Sequence, residues 1–531
     1  MGDKQNSVDV SIDSSKKSSK SKKILAVVLI VLAVACGVGV YFLNHKSSTT
    51  LKNEPKNLES PYKMSGNSLE DFDLQFLKLE NKEENKVYSP LSIKYALQML
   101  SMGTNGTSKE QIDSVIGKYQ SRKYTNSSNM SFANAMFIRN SYKEYIKDSY
   151  VSNLKTKYDA EVIYDAFSNA KPINDWVSNK TFKLVKNIID DEEVSNNDFF
   201  LVNALAINMD WKKRIQPDVA MGDSSYRVIS YSHENYTASI ESINGVPSSK
   251  VKFNNSKNAA ALDVLAVINN YDIVNKLGKD NIKKTVKKEY EAYLKENNEK
   301  ATEKEIDEFL EKFIKELDSH YYSDPAYTTD FSIYTDDSVK AFAKDLKTYN
   351  GTTLEYVGIM PTKDNLTDFI KNSTAKSINE ITSKLKTLRR ENFEEEKIIE
   401  ITGSIPVFNF EYNLDLLNDL KSLGINDVFT EGKADLSELT TSKGNPFIKT
   451  AIHKANIEFS NEGIKAGAAS ILGGGDGAAD GGFEYQFDVP VQKINITFDK
   501  PYMFMIRDKA TGEVWFTGTV YEPTEAQAKT E

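Results

Sequence analysis

The chain has 531 residues, 40% of them hydrophobic and 27% charged, with a formal net charge of −9. That is ordinary globular composition, with material for roughly two to four domains or one large domain with insertions. An acidic chain lacks the basic face that a general nucleic-acid binder needs. One cysteine, Cys36, and four scattered histidines (His45, His233, His320 and His453) exclude a disulfide framework, HExxH and CxxC metal sites and a cysteine nucleophile; no GxSxG elbow accompanies them.

Residues 1–23 are rich in Ser and Lys, and six lysines outnumber Asp3, Asp9 and Asp13. Residues 24–43 (ILAVVLIVLAVACGVGVYFL) then run without a charge, which as a helix spans about 30 Å and suffices to cross a bilayer. The lysines on its amino-terminal side place the tail in the cytoplasm and everything after Leu43 outside the cell. A cleaved signal peptide and a lipobox-like Ala33–Val34–Ala35–Cys36 are the competing readings. The apolar run continues past any small-residue cleavage site, which favours an uncleaved single-pass anchor in the cell membrane. Residues 44–66 read as a polar tether, and a folded region follows over 67–524.

Within that region helical and strand patterns mix without βαβ alternation, which predicts an α+β fold. Residues 92–101, with apolar positions 93, 96, 97 and 100, predict a buried helix face, and 174–185 a second helix. Strands are predicted at 131–138, 199–208, 451–459 and 493–498. Over 303–317, Ile306, Phe309, Leu310, Phe313, Ile314 and Leu317 form one stripe behind a Thr302–Glu305 capping box. With the charged run 283–300 before it, this reads as an inserted helical subdomain, about 255–328. A run of that kind is usually a solvated helix face.

The segment 473–482 (GGGDGAADGG) neither opens a helix after a strand nor has the acidic spacing of a calcium loop, so it is read as a flexible, protease-accessible loop. What surrounds it is informative. Asn85–Lys86–Val87–Tyr88–Ser89–Pro90–Leu91–Ser92–Ile93 with Ala96, Leu97 and Gly103–Thr107, then Ile173–Asn174–Asp175–Trp176–Val177 with Thr181, and Phe200–Leu201–Val202–Asn203–Ala204 running to Trp211 occur in order. Ile405–Pro406–Val407–Phe408, Leu423–Gly424–Ile425 with Phe429, Ile452–His453–Lys454–Ala455, and Phe498–Asp499–Lys500–Pro501–Tyr502 through Gly518 complete the series. Together these blocks resemble the serpin family, with Tyr502 standing where that family usually has Phe. Roughly seventy residues between Trp211 and Asp330 exceed the family's spacing and coincide with the helical insertion.

The resemblance implies a serpin fold, in which a large central β-sheet, surrounding helices and an exposed reactive-centre loop (about 461–490) form a suicide inhibitor. A protease cuts the loop, which then inserts into the sheet as a new strand. The residues suit that task. Taking Ile464 as inward puts Ile464, Ala466, Ala468, Ser470 and Leu472 toward the core, and Lys465, Gly467, Ala469 and Ile471 outward. About ten added strand residues at roughly 1 kcal/mol per hydrogen bond give on the order of 10 kcal/mol, against about 5.5 kcal/mol for the 10⁴-fold rate lost when a protease triad is distorted.

By resemblance, Glu462 and Gly463 begin the hinge, with Asn461 replacing a usual acidic residue. Asn85, Ser89, Ser92, Asn203 and His453 fall beneath the strands that part, and Trp211 where the sheet opens. Family spacing places the scissile bond about fourteen residues after Gly463, at Gly477–Ala478, a small-residue site suited to elastase- or subtilisin-like enzymes. Gly463 to Pro501 spans 38 positions, about a dozen beyond family spacing. Cleavage at Phe483 or Tyr485 instead would leave roughly 20 Å of slack and make the chain a substrate. No residue is assigned a catalytic, metal-binding or cofactor role; serine or cysteine proteases are the partners, nucleic acid is not, and the protein is expected to be a monomer. A non-inhibitory binding or scaffold protein of the same fold, acting through 283–317, is the alternative reading.

Overall fold

The computed structural model describes residues 7–10, 69–117, 119, 121–212, 242–243, 246–247, 250–270, 272–320, 330–393, 396–460, 463–465, 483–486 and 491–526. The apolar run 24–43 and most of the loop, including Asn461, Glu462, Ala466, Ala468, Ala469, Ser470, Gly477 and Ala478, lie outside these residues. Among the described residues no helix is long and apolar enough to cross a membrane.

A seven-stranded antiparallel sheet forms the back of the molecule. Its strands are β2 (Lys86–Tyr88), β9 (Phe331–Thr335), β10 (Val339–Asp345), β11 (Leu354–Pro361), β12 (Lys386–Thr387), β19 (Tyr502–Asp508) and β20 (Val514–Val520), in the order β12-β9-β10-β11-β19-β20-β2. The carboxy-terminal hairpin β19–β20 is buried along almost its whole length, as a central strand pair must be when both faces are covered. Gly518 is required here, because a Cβ would lie 1.8 Å from the Lys86 carbonyl oxygen of the neighbouring strand.

The front is built from two strand groups. β3 (Met130–Arg139) pairs antiparallel with β5 (Phe199–Ile207) and parallel with β4 (Glu161–Asp165). β14 (Phe408–Leu414), β15 (His453–Phe459), β16 (Gly463–Lys465) and β6 (Met209–Asp210) form the second group in that order. Among the described residues no ladder joins β5 directly to β15; the two groups meet through β6 and β16. Aromatic side chains weld the second group to the back sheet: Phe459 lies 4.8 Å from Tyr356 and Phe408 lies 5.7 Å from Phe504, between ring centroids. Contacts at these separations add to the area buried by each ring.

Helix α2 (Pro90–Ser101) starts at an N-cap, Ser89, and is buried on nearly every side beneath β5 and β20, as its apolar spacing requires. The strands expected at 131–138, 199–208 and 451–459 are found within two residues of those bounds, whereas the one expected at 493–498 runs Val491–Asn495. The helix expected over 174–185 instead runs Lys171–Lys180 (α5), since Phe182 and Lys183 have φ of 52° and 65°, values that end a right-handed helix.

The insertion differs more. Residues 257–269, expected inside a helical subdomain, form the long strand β8 (Lys257–Asn269), paired with β7 (Lys250–Phe253) and with β13 (Ile398–Pro406), which pairs in parallel with β18 (Val491–Asn495). Its run of small and β-branched residues suits a strand covered on both faces. The helical part is α6 (Ile273–Leu277), α7 (Lys279–Glu296) and α8 (Glu303–His320). The expected capping box is formed: Thr302 N–H donates to Glu305 Oε2 at 2.8 Å and Glu305 N–H to Thr302 Oγ1 at 3.3 Å. Finally, β1 (Ser7–Val10) pairs antiparallel with β17 (Phe483–Gln486). That pairing puts residues 7–10 beside residues 483–486 of the loop.

Candidate functional site

The site is the seam between β5 and β15, with a latch at each end. At the top, Ser460 N–H donates to Gly463 O at 3.1 Å, so β16 folds straight back along β15. Its register pairs Phe459 with Ile464 and Glu458 with Lys465, while on its other side Gly463 faces Asp210 and Ile464 faces Met209. The start of the loop is therefore already a strand of the sheet. Gly463 makes this possible: a Cβ there would stand 2.2 Å from Met209 O and 2.6 Å from Asp210 Cα. Ile464 is 2% exposed, the inward orientation expected from the alternation.

Trp211 closes this end. Its indole N–H donates to Ser460 O at 2.8 Å, its ring meets Phe459 at 5.4 Å, and its backbone bridges to Leu346 of the back sheet. Met209, Asp210 and Ser460 complete the latch. They were not anticipated, because a two-residue strand such as β6 carries no periodicity of its own.

At the lower end, Ser89 N–H donates to His453 Nε2 at 2.9 Å, and the Ser89 hydroxyl oxygen accepts from Ser92 N–H at 3.0 Å. This ties the first turn of α2 to the start of β15. Desolvation lowers the His453 pKa to about 4, and the residue is among those lining a cavity. The imidazole is thus neutral and an acceptor. Since it bonds a backbone N–H and the Ser89 oxygen is otherwise engaged, the pair is a structural latch and not a nucleophile with its base.

Asn203 Nδ2 donates to Asn134 Oδ1 at 2.7 Å, and Asn134 Nδ2 to Tyr158 O at 2.8 Å. Asn134 and Asn203 stand directly opposite in the β3–β5 ladder. Each is an amide within an apolar strand, a signal present in the sequence, but their meeting depends on register. Asn203 Oδ1 is buried without a hydrogen-bond partner. Asn85 is a correction: it lies apart from this group, accepting from Tyr521 and Glu522 N–H at 2.8 Å and donating to Glu522 O at 2.7 Å. It precedes β2, at the edge of the back sheet, and fastens the chain leaving β20.

Between the latches the seam is hollow. A cavity of about 390 Å³ is bounded by Phe200–Asn203 of β5, by Ala451, Ile452 and His453, and by Ser92, Ala96 and Leu97 of α2 as its floor. Above it, Leu205 and Ile207 of β5 face Ala455, Ile457 and Ile464 across a narrow gap. The edges of β5 and β15 thus face each other below β16 with a narrow gap above and a cavity beneath it, and among the described residues no ladder pairs them. Among the described residues no group of three or more His, Cys, Asp or Glu is placed to hold a metal.

Residues 68–223 and 326–523 match the family model described as "Serpin (serine protease inhibitor)". The chain belongs to the serpin family. Its members are in general inhibitors of serine proteases and not proteases themselves, although some do not inhibit. An uncharacterized serpin-like protein of Methanosarcina acetivorans is 24% identical, over 95% of this chain and 98% of its own length. Human leukocyte elastase inhibitor is also 24% identical, over 86% and 99%. Among solved structures, the native state of the thermophilic serpin tengpin superposes with a TM-score of 0.54 at 19% identity, covering 85% of this chain and 92% of that one. Uncleaved ovalbumin gives 0.54 at 17%, covering 87% and 100%. The serpin fold expected from the sequence is therefore the fold observed. The family model leaves 224–325 unmatched, a span that holds β7, β8 and the helical insertion.

Proposed function

We propose that this serpin is a suicide-substrate inhibitor of extracellular serine endopeptidases with shallow, small-residue specificity, elastase- or subtilisin-like, and that a cut at Gly477–Ala478 releases the loop into the seam. The observation that supports this best is the position of β16. The loop enters the sheet already paired on both sides, at the top of a seam where no described ladder joins β5 to β15. Each further residue drawn in gains backbone hydrogen bonds of about 1 kcal/mol each, so insertion runs downhill once the far end is cut and the uncut form is held by kinetics.

The test is to mix the full chain with a panel of serine and cysteine proteases. A covalent band stable to denaturant, with a released carboxy-terminal peptide, is the expected result, and that peptide's first residue locates the bond. Clean nicking without a covalent band would overturn the inhibitor reading and favour the non-inhibitory one.

For location, the uncharged run 24–43 supports a single-pass anchor with the serpin domain outside the cell. The β1–β17 pairing favours a second arrangement, with the tail on the same side as the domain. An impermeant amine label applied to intact cells separates them: a labelled domain with unlabelled tail lysines fits the anchor, and a labelled tail fits the pairing.

A further inference from the structure

The helical insertion is a separate small body. Val286 and Tyr290 of α7 and Ile306, Phe309 and Leu310 of α8 are buried, the Tyr290 and Phe309 rings stack with centroids 4.2 Å apart, and none of these residues belongs to the clusters that form the serpin core. Lys287 bridges to Glu303 at 3.0 Å across the hairpin. It is fastened beside the β8–β13 sheet, where Lys276 meets Glu396 at 2.6 Å and Arg390 Nε donates to Asn270 Oδ1 at 3.1 Å. Besides α6 and α8, the strand β17 (Phe483–Gln486), from the distal part of the loop, lies along α7.

We propose that the α7–α8 hairpin is a seat for residues 483–486, which holds the distal part of the loop against the body and withholds it from proteases. The bond Gly477–Ala478 lies in the sequence between β16 and β17, and the surplus length lies beyond it. A protease must draw its substrate out as an extended single strand, so a segment laid on α7 is cut only after it lifts away. The bonds after Phe483 and Tyr485, whose cleavage would leave slack, are thereby masked, while Gly477–Ala478 precedes the seated segment. The inhibitory consequence rests on the function proposed above; the seat itself does not.

The test compares the full chain in detergent with a variant in which 272–320 is replaced by a short Gly/Ser linker. The replacement leaves β8 and every residue of the serpin core clusters in place. A second variant, Tyr290→Ser with Phe309→Ser, loosens the hairpin core without touching the body. Amide hydrogen exchange at 483–486 is expected to be at least tenfold faster in both variants, and nicking after Phe483 and Tyr485 by a chymotrypsin-like enzyme to rise by a similar factor. Unchanged exchange and nicking in both variants would overturn the seat and assign the cover of 483–486 to the β1 pairing. Absence of a covalent band with any protease would instead overturn the inhibitor reading, leaving the exchange result to decide the seat.

Discussion

Replacing Gly463 by Ala is the smallest change that reaches the upper latch. The added methyl would lie 2.2 Å from Met209 O and 2.6 Å from Asp210 Cα, both backbone atoms of a strand pinned through Trp211, so β16 must leave its place. Leaving forfeits two register pairs with β15 and two with β6, about 3 kcal/mol at roughly 1 kcal/mol per hydrogen bond. It also exposes Ile464, worth a further ~2 kcal/mol. The seam recovers part of this if β5 closes directly on β15, so the global melting temperature understates the local loss. Hydrogen exchange reads it directly. The amides of Ile464 and Lys465 should exchange on the order of 10³-fold faster in Gly463→Ala, since every 1.4 kcal/mol is tenfold. If those amides stay as slow as in the parent, the reasoning that β16 needs a glycine to enter the sheet is wrong.

Three further outcomes follow from the same geometry. His453 is depressed to about 4 by desolvation, so the unfolded chain binds the extra proton between about 4 and 6.5. Its stabilising contribution is whole above pH 6.5 and is lost as pH falls toward 4, by up to about 3 kcal/mol; urea midpoints should fall between pH 7 and 5, and His453→Gln should flatten that fall. Asp419, on the helix Leu416–Ser422, has the opposite sign. Burial first, then Glu80 and Asp415, raise it to about 7, so the native state keeps a proton that the unfolded chain gives up, and stability drops as pH rises from about 4 to 7. Asp419→Asn should match the parent near pH 4 and exceed it at pH 8 by on the order of 2–4 kcal/mol, and equal midpoints at pH 8 would refute this. Trp211→Phe removes the bond to Ser460 O while keeping an aromatic ring beside Phe459. It should cost about 1 kcal/mol, seen as fivefold to tenfold faster exchange at Gly463 with little change in melting temperature.

The parts of this protein legible in the chain were those whose information is local. Apolar spacing marked α2 and β5, and the Thr302–Glu305 box marked the start of α8. Ordered short motifs were enough for the family and the fold. His453 and Ser89 were placed in one group by resemblance, and they do meet.

What tertiary structure alone decided were relations between segments far apart in sequence. Whether β8 was strand or part of a helical insertion turned on its partner β13, about 140 residues away, since an apolar run of small residues satisfies either geometry until something pairs with it. Asn85 sits in a motif beside Ser89, yet its side chain answers to Tyr521 and Glu522, because a strand edge offers hydrogen-bond partners that sequence proximity does not reveal. The need for a glycine at 463 came from a carbonyl of β6 2.2 Å from its missing Cβ. Side-chain pattern determines which face of a segment is buried; which backbone lies against it is set only when the whole chain has packed.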